Sequence, residues 1–465
     1  MIKADIGIIG LGVMGSSLAI HLSRKGWKVA VCDEFRPDLL EQHKKKFPRH
    51  MAANSLEEFV RLLKKPAKVL MMIKAGKPVD DYLEKLSVHL GFGDTIIDGG
   101  NSHFADSDRR HKLLTQKDIH FVGMGISGGE YGALHGASFM PGGSRQGWKE
   151  ISPIFETITA KTDDNYPCCC WIGTDGAGHF VKMVHNGIEY GLMQILCEVY
   201  HILKCALALD HEDIYEVFQS WNRGPVRSYL LEISTAILSK KEGSTPILDL
   251  ILDTAKHKGT GKWTAQAALD LGVAIPTIST AIHSRFLSAI RNERLFAAEQ
   301  FALNFSDVEL QDITNNIYHA LCSSMMCTYA QGFALMHRAS LEYGWQLKLH
   351  EIARIWRGGC IIRAEMLSMI DRAFFENNDL ENVLIDPFFV NVLNRTHHHW
   401  RALVISALKV GVPIPAISSA LNYFDSYRSA WLPANLLQAQ RDYFGAHGYE
   451  RKDRPGVFHS DWRKK

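Results

Sequence analysis

Residues 6–15 read Ile6-Gly7-Ile8-Ile9-Gly10-Leu11-Gly12-Val13-Met14-Gly15, and an apolar stretch follows to about Ser23. Ile6–Ile9 has the length and apolarity of a buried strand, and the stretch after it suits a helix. Between them the glycines keep G-x-G-x-x-G spacing. Gly10 permits a tight turn, Gly12 lets a pyrophosphate reach the backbone, and Gly15 lets helix and strand pack closely. The helix start would present oriented N–H groups to the phosphates, with Leu11, Val13 and Met14 completing the loop. Asp33 ends a second strand, Trp27–Cys32, where a carboxylate can accept from both ribose hydroxyls of NAD but repels the 2′-phosphate of NADP. Glu34 adds negative charge and Arg36 partly compensates it.

Outward from this unit, Lys68–Ile73 and Thr95–Ile97 read as strands with helical stretches between, and Ile119–Val122 and Cys168–Ile172 could extend the sheet. That rhythm predicts an α/β Rossmann-type dinucleotide-binding domain over residues 1–177. From Gly178 onward the pattern is helical, with Phe180–Leu209 and Ile313–Tyr343 as long candidates. This part repeats itself. Gly272-Val273-Ala274-Ile275-Pro276 recurs as Gly411-Val412-Pro413-Ile414-Pro415, Trp221-Asn222-Arg223-Gly224 as Trp356-Arg357-Gly358-Gly359, and Trp263 as Trp400, always 135 to 139 residues later. We therefore expect one all-helical domain, 178–430, with similar halves at about 180–300 and 313–430. Residues 431–465 form a C-terminal tail too polar to fold alone.

Composition excludes other classes. The chain has 465 residues, 46% of them hydrophobic, and 52 Lys+Arg against 50 Asp+Glu leave a net charge of +2. That balance suits neither a nucleic-acid surface nor a membrane surface. No run approaches the roughly 20 apolar residues of a membrane span. Glycines interrupt the N-terminal apolar run too early for a signal peptide, so a cytoplasmic protein is expected. The 9 cysteines lack framework spacing, and adjacent Cys168, Cys169 and Cys170 would point alternately along a strand, which suits a tetrahedral metal badly. Reduced thiols and no metal are expected.

The chemistry gathers on one helix. Lys182, His185, Asn186, Glu189 and Tyr190 stand at i, i+3, i+4, i+7 and i+8, hence on one face. Lys182 and Glu189 are about 10 Å apart along the axis, enough to serve different carbons of one substrate. Gly187, costly inside a helix, suggests close approach by a ligand or another backbone. Asp98-Gly99-Gly100-Asn101-Ser102 and Ser127-Gly128-Gly129 each follow a strand and could cradle substrate. Lys256-His257-Lys258-Gly259-Thr260-Gly261-Lys262-Trp263 lacks P-loop spacing, but Lys258 and Thr260 could hold an anion.

These motifs, with Phe139-Met140-Pro141-Gly142-Gly143, Phe180–Gly191, Trp356–Ala364 and Gln440–His447, resemble the 6-phosphogluconate dehydrogenase family, within the β-hydroxyacid dehydrogenases, over essentially the whole chain. The resemblance implies oxidative decarboxylation of 6-phosphogluconate to ribulose 5-phosphate in the pentose phosphate pathway. It makes Lys182 the base at the C3 hydroxyl and Glu189 the acid that protonates the enediol. Asn101, Ser127, Gly128, Gly129, His185 and Asn186 would bind the sugar-acid end; Tyr190, Lys258, Thr260 and Arg285 would bind the phosphate. Arg441 and His447 would complete the neighbouring site of a homodimer. Asp33-Glu34-Phe35, Ile73-Lys74-Ala75 and Asn101 would border the dinucleotide. The family commonly has Asn-Arg-Thr where this chain has Asp33-Glu34-Phe35, so NAD is expected over NADP. Tyr131 and Leu192 also depart from the family, at a usual glutamate and a usual aspartate. An NAD-linked dehydrogenase of another, unphosphorylated acid would leave Lys258, Arg285 and Arg441 without purpose. A catalytically silent dinucleotide sensor would not need Lys182 and Glu189.

Overall fold

The computed structural model describes residues 2–256, 259–301 and 312–464. Two compact units emerge, Met1–Ala420 and Leu421–Lys465.

In the larger unit, β1 (Ile6–Ile9), β2 (Val29–Cys32), β3 (Met51–Ala53), β4 (Lys68–Met71), β5 (Thr95–Asp98), β6 (His120–Ser127) and β7 (Ser138–Gly143) form one sheet in the order β3-β2-β1-β4-β5-β6-β7. All pairs are parallel except β6–β7. The helices between them are α1 (Val13–Arg24), α2 (Pro37–Lys46), α3 (Leu56–Leu62), α4 (Lys77–Ser87), α5 (Phe104–Thr115), α6 (Gly129–His135) and α7 (Arg145–Ile158). Two apolar clusters fill the faces, one around Ile6, Ile8, Val31 and Ile97, the other around Ile9, Val69, Ile96 and Phe59. Strand order reverses between β1 and β4, which opens a crevice beyond the carboxyl end of β1.

The expected Rossmann-type sheet is present, with one correction at its edge. Cys168–Ile172 is not a strand; it touches β7 through single bridges, Phe139 with Cys169 and Gly142 with Gly173. Pro141 in β7 has no N–H for a continuous ladder, although its carbonyl accepts from Ile172 at 2.8 Å.

The helical part opens with α8 (Ala177–His201), which a π-helical turn, Ile202–Ala206, closes; the single helix expected to Leu209 is therefore interrupted. Next come α9 (His211–Trp221), α10 (Tyr229–Leu238), α11 (Ile247–Leu250), α12 (Thr260–Asp270), α13 (Pro276–Ala289) and α14 (Arg291–Gln300). The second set comprises α15 (Ile313–Tyr343), α16 (Leu349–Ile355), α17 (Met366–Glu376), α18 (Pro387–Val410) and α19 (Pro415–Tyr427).

The repeated sequence adopts repeated geometry. Gly272 and Gly411 take φ of +66° and +71° before α13 and α19, each of which starts on proline, a residue suited to the first helical turn. The long helices then exchange caps. Glu198 of α8 accepts from the Ala416 and Ile417 amides of α19 at 2.8 and 2.9 Å. Gln331 of α15 accepts from the Thr277 amide of α13 at 3.0 Å. Each half thus satisfies orphan amides at a helix start of the other half.

The smaller unit holds α20 (Ala434–Gly445) and a hairpin of Tyr449–Glu450 with Val457–Phe458. A polar hub organises it. Fully buried Asp442 accepts from the Gly448 and Ser460 amides and the Trp462 indole and pairs with His459, at 2.7 to 3.1 Å. The tail is poor in apolar residues, and within it this carboxylate gathers several donors at once.

Burial pushes the Glu198 carboxyl up to about 7, against the two amides and the Gln194 side chain that favour its ionised form. A raised carboxyl stabilises the fold fully below its unfolded value and loses that contribution as pH rises through about 7. Glu198→Gln removes this titration. Calorimetric Tm should therefore shift in favour of the variant, relative to native protein, between pH 5 and pH 8; a constant difference refutes the argument.

Candidate active site

The dinucleotide turn is built by exclusion. A Cβ on Gly10 would lie 2.5 Å from the Met72 carbonyl, and one on Gly15 only 1.9 Å from the Gly10 carbonyl. Gly12 precedes α1; among the described residues nothing lies within 4 Å of where its Cβ would stand, and no side chain caps the helix. The first amides of α1 are thus open to a phosphate. Leu11 is buried, Met14 half-buried and Val13 exposed.

The acidic residues after β2 are less free than their sequence suggests. Asp33 is buried and accepts from the Leu11 amide at 2.8 Å and the Arg36 amide at 3.0 Å. Glu34 accepts from the Leu56 amide at the start of α3 and lies 3.8 Å from Lys85. Arg36 forms a two-pronged pair with Asp38 at 2.9 and 2.7 Å. Exposed Phe35 packs edge-on against Tyr82. Ile73, Lys74 and Ala75 follow β4, with Lys74 exposed, and exposed Asn101 follows β5.

Ser127 ends β6 and Gly128 turns the chain with φ of +136°. A Cβ at Gly128 would fall 2.5 Å from the Gly359 carbonyl, so the turn admits only glycine both sterically and conformationally. The Ile361 amide donates to Ser127 Oγ at 3.3 Å, and Ser127 Oγ meets His185 Nε2 at 3.0 Å. His185 Nδ1 lies 3.2 Å from Asn186 Oδ1, which also accepts from Lys182 Nζ at 2.7 Å. Glu189 stands 3.8 Å from His185 Nδ1 on the next turn. The one-face spacing thus becomes a connected polar row. On the opposite side, the close approach at Gly187 is made by Thr264 of α12, whose hydroxyl donates to the Met183 carbonyl at 2.8 Å.

Burial sets the electrostatics. It lowers the Lys182 ammonium pKa, with Glu189 pulling the other way. It raises the Glu189 carboxyl, against Lys182 and Arg285. Burial and then Lys182 push His185 well down, which keeps the imidazole neutral. A lysine poised to lose its proton beside a carboxyl poised to keep one is the arrangement a base and an acid require.

Further along α8, the Arg285 guanidinium lies over the Tyr190 ring, 3.5 Å from its centre. Thr260 is buried at the start of α12, and a Cβ on neighbouring Gly261 would touch Tyr190 at 2.7 Å. Lys258 lies outside the described residues. Arg441 and His447 are exposed in the smaller unit. The sequence reading missed the part of Trp356–Ile361 in the site: its tryptophan packs edge-on against His185 and its Ile361 amide holds Ser127. The repeated Trp-x-x-Gly motif marked the segment, but signalled duplication rather than proximity.

A phosphate-ready crevice together with a buried lysine and a half-buried carboxyl defines a dinucleotide-dependent oxidoreductase. Family models agree in detail. Residues 5–173 match the NAD binding domain of 6-phosphogluconate dehydrogenase, and residues 178–462 match its C-terminal domain. The chain is 48% identical to the 6-phosphogluconate dehydrogenase, NADP(+)-dependent, decarboxylating, of Bacillus subtilis over 100% of both chains. It is 47% identical to the decarboxylating enzyme of Staphylococcus aureus, covering 98% of this chain and 99% of that one. Plasmodium falciparum 6-phosphogluconate dehydrogenase, a structure studied with NADP+ and 6-phosphogluconate, superimposes with a TM-score of 0.95 at 42% identity, covering 98% of this chain and 100% of that one. The chain belongs to the 6-phosphogluconate dehydrogenase family.

Because Glu189 holds the Lys182 pKa up, Glu189→Gln should lower it further. Amine-directed labelling of Lys182, followed by mass spectrometry against pH, should then begin at lower pH than in native protein. An unchanged onset would show that the two groups do not sense each other.

Proposed function

We propose that this enzyme converts 6-phosphogluconate to ribulose 5-phosphate and carbon dioxide, and that it prefers NAD. The polar row on α8 carries the reading of the reaction. Neutral Lys182 takes the proton of the C3 hydroxyl while Asn186 holds its Nζ. A nicotinamide dinucleotide held by the Gly10–Gly15 turn would supply the hydride acceptor for C3. Protonated Lys182 then neutralises the C3 oxygen as the C1 carboxylate leaves and its bonding electrons pass to C2. Glu189, whose carboxyl pKa burial raises, delivers a proton to C2, which becomes C1 of the ketose. Asn101, Ser127, Gly128, Gly129, His185 and Asn186 hold the acid end; Tyr190, Thr260, Lys258 and Arg285 hold the phosphate. Free thiols at all nine cysteines suit the cytoplasm.

The preference for NAD rests on charge. Both oxygens of Asp33 already serve the backbone, so exclusion of a 2′-phosphate counts for more than capture of the ribose diol. Arg36, which follows these acidic residues, is itself paired with Asp38, while Lys85 lies 3.8 Å from Glu34. A difference of about 1.4 kcal/mol would give a tenfold preference. Purified protein given 6-phosphogluconate should release carbon dioxide and reduced dinucleotide in equal amounts, with kcat/KM higher for NAD. No turnover refutes the substrate, whereas an NADP advantage refutes the selectivity alone.

We also propose a homodimer in which Arg441 and His447 complete the partner's site. Large apolar side chains stand exposed at Leu250, Ile251, Leu252, Phe296 and Phe301, a surface that a second copy would cover. Lys182→Met should lower kcat by about 10²- to 10⁴-fold, and Arg441→Ala should raise KM for the sugar acid. Co-expressed as tagged hybrids, the two variants should regain activity in one site per dimer. Isolated hybrids without recovery would place the tail on its own subunit.

A further inference from the structure

Behind the substrate loop lies a guanidinium sealed from solvent. Arg110, on α5, is fully buried, and each of its nitrogens has a partner. Nε donates to Asp80 of α4 at 2.8 Å, and Nη2 to the Gly76 carbonyl at 3.0 Å. Nη1 lies 3.3 Å from both Asp98 Oδ2 and Ser102 Oγ. Asp98, also fully buried, accepts from the Ser102 hydroxyl at 2.6 Å and the Gly100 amide at 3.1 Å.

Gly76 directly follows Ile73-Lys74-Ala75, and Gly100 and Ser102 flank Asn101. The two loops also touch. A Cβ on Gly100 would lie 3.1 Å from the Ile73 carbonyl, and one on Gly99 only 2.5 Å from Met72 Sδ. A planar guanidinium directs its donors at fixed angles, so these partners hold one mutual arrangement. Burying such a charge is costly unless its donors are matched, and a misplaced loop would leave donors unmatched.

We infer that Arg110 is a positioning residue that holds the dinucleotide loop 73–76 and the substrate loop 98–102 in register, and thereby couples binding of the dinucleotide to binding of the sugar acid. The inference rests on the ligand assignments proposed above for these loops. Arg110 touches neither ligand. A ligand that orders one loop orders the other through the fork, so the coupling is reciprocal.

The test uses full-length enzyme and a pair that cannot react, reduced dinucleotide with 6-phosphogluconate. Calorimetry gives the Kd of the dinucleotide with and without the sugar acid. Native enzyme should show a ratio of about fivefold or more. Arg110→Lys, which keeps the charge and loses the fork, should bring the ratio to within about twofold of unity. Asp80→Asn alters the partly exposed side-chain partner and should give an intermediate ratio, which decides the matter should Arg110→Lys not fold. A purely structural role would lower Tm and leave the ratio of the folded protein unchanged. A native ratio near one, or a native ratio retained by a folded variant, overturns the inference while the ligand reading stands. Failure of 6-phosphogluconate to bind native enzyme overturns both.

Discussion

The site depends on a helix that lies directly against a sheet. Side chains ordinarily separate such layers, but α8 meets β6 and β7 through glycines. A Cβ on Gly178 would fall 2.4 Å from the carbonyls of Gly123 and Met140, and one on Gly142 would fall 2.3 Å from the Gly178 amide. At Gly125 an added Cβ would strike the Lys182 side chain at 2.3 Å. Lys182 therefore starts at the sheet surface and is buried over its length, and its lowered pKa follows from that placement. One turn later His185 reaches Ser127 at the end of β6. The polar row of α8 and the Ser127–Gly129 turn share a frame because no bulky side chain intervenes.

Buried carboxylates serve mainly as backbone ligands. Asp33 steadies the glycine turn through the Leu11 amide, Glu198 caps α19 and Asp442 organises the smaller unit, while half-buried Glu34 caps α3 in the same way. Charge-assisted bonds to amides are strong and directional, so each carboxylate fixes a loop or a helix start. Glu189 differs: it has no amide donor among the described hydrogen bonds, lies 3.8 Å from His185 and retains 23% side-chain exposure.

Short-range periodicity made much of this legible. The bounds of β1 and α15 match their expected ranges, Ile6–Ile9 and Ile313–Tyr343, since continuous apolar or helical patterning carries its own ends. The α8 face was readable because helical spacing is fixed. β7 was not, since Ser138–Gly143 is rich in glycine and contains proline; only pairing with β6 makes it a strand. Nor could the sequence show that Asp33 is occupied by Leu11, because a hydrogen bond across 22 residues leaves no local pattern. The role of Trp356–Ile361 was hidden likewise, since its partner Ser127 lies 234 residues away.

Duplication supplies the scaffold, and contact with the sheet distinguishes the two copies. The long helices α8 and α15 occupy comparable places and each caps a helix of the other half. The polar groups of α15 face other helices: Asn316 pairs with His399, and Ser323 with Thr396 of α18. α8 instead packs on β6 and β7, beside the strand ends where a dinucleotide can lie. The polar row thus stands on the copy whose glycines let it rest on the sheet, and the other copy fills the interior.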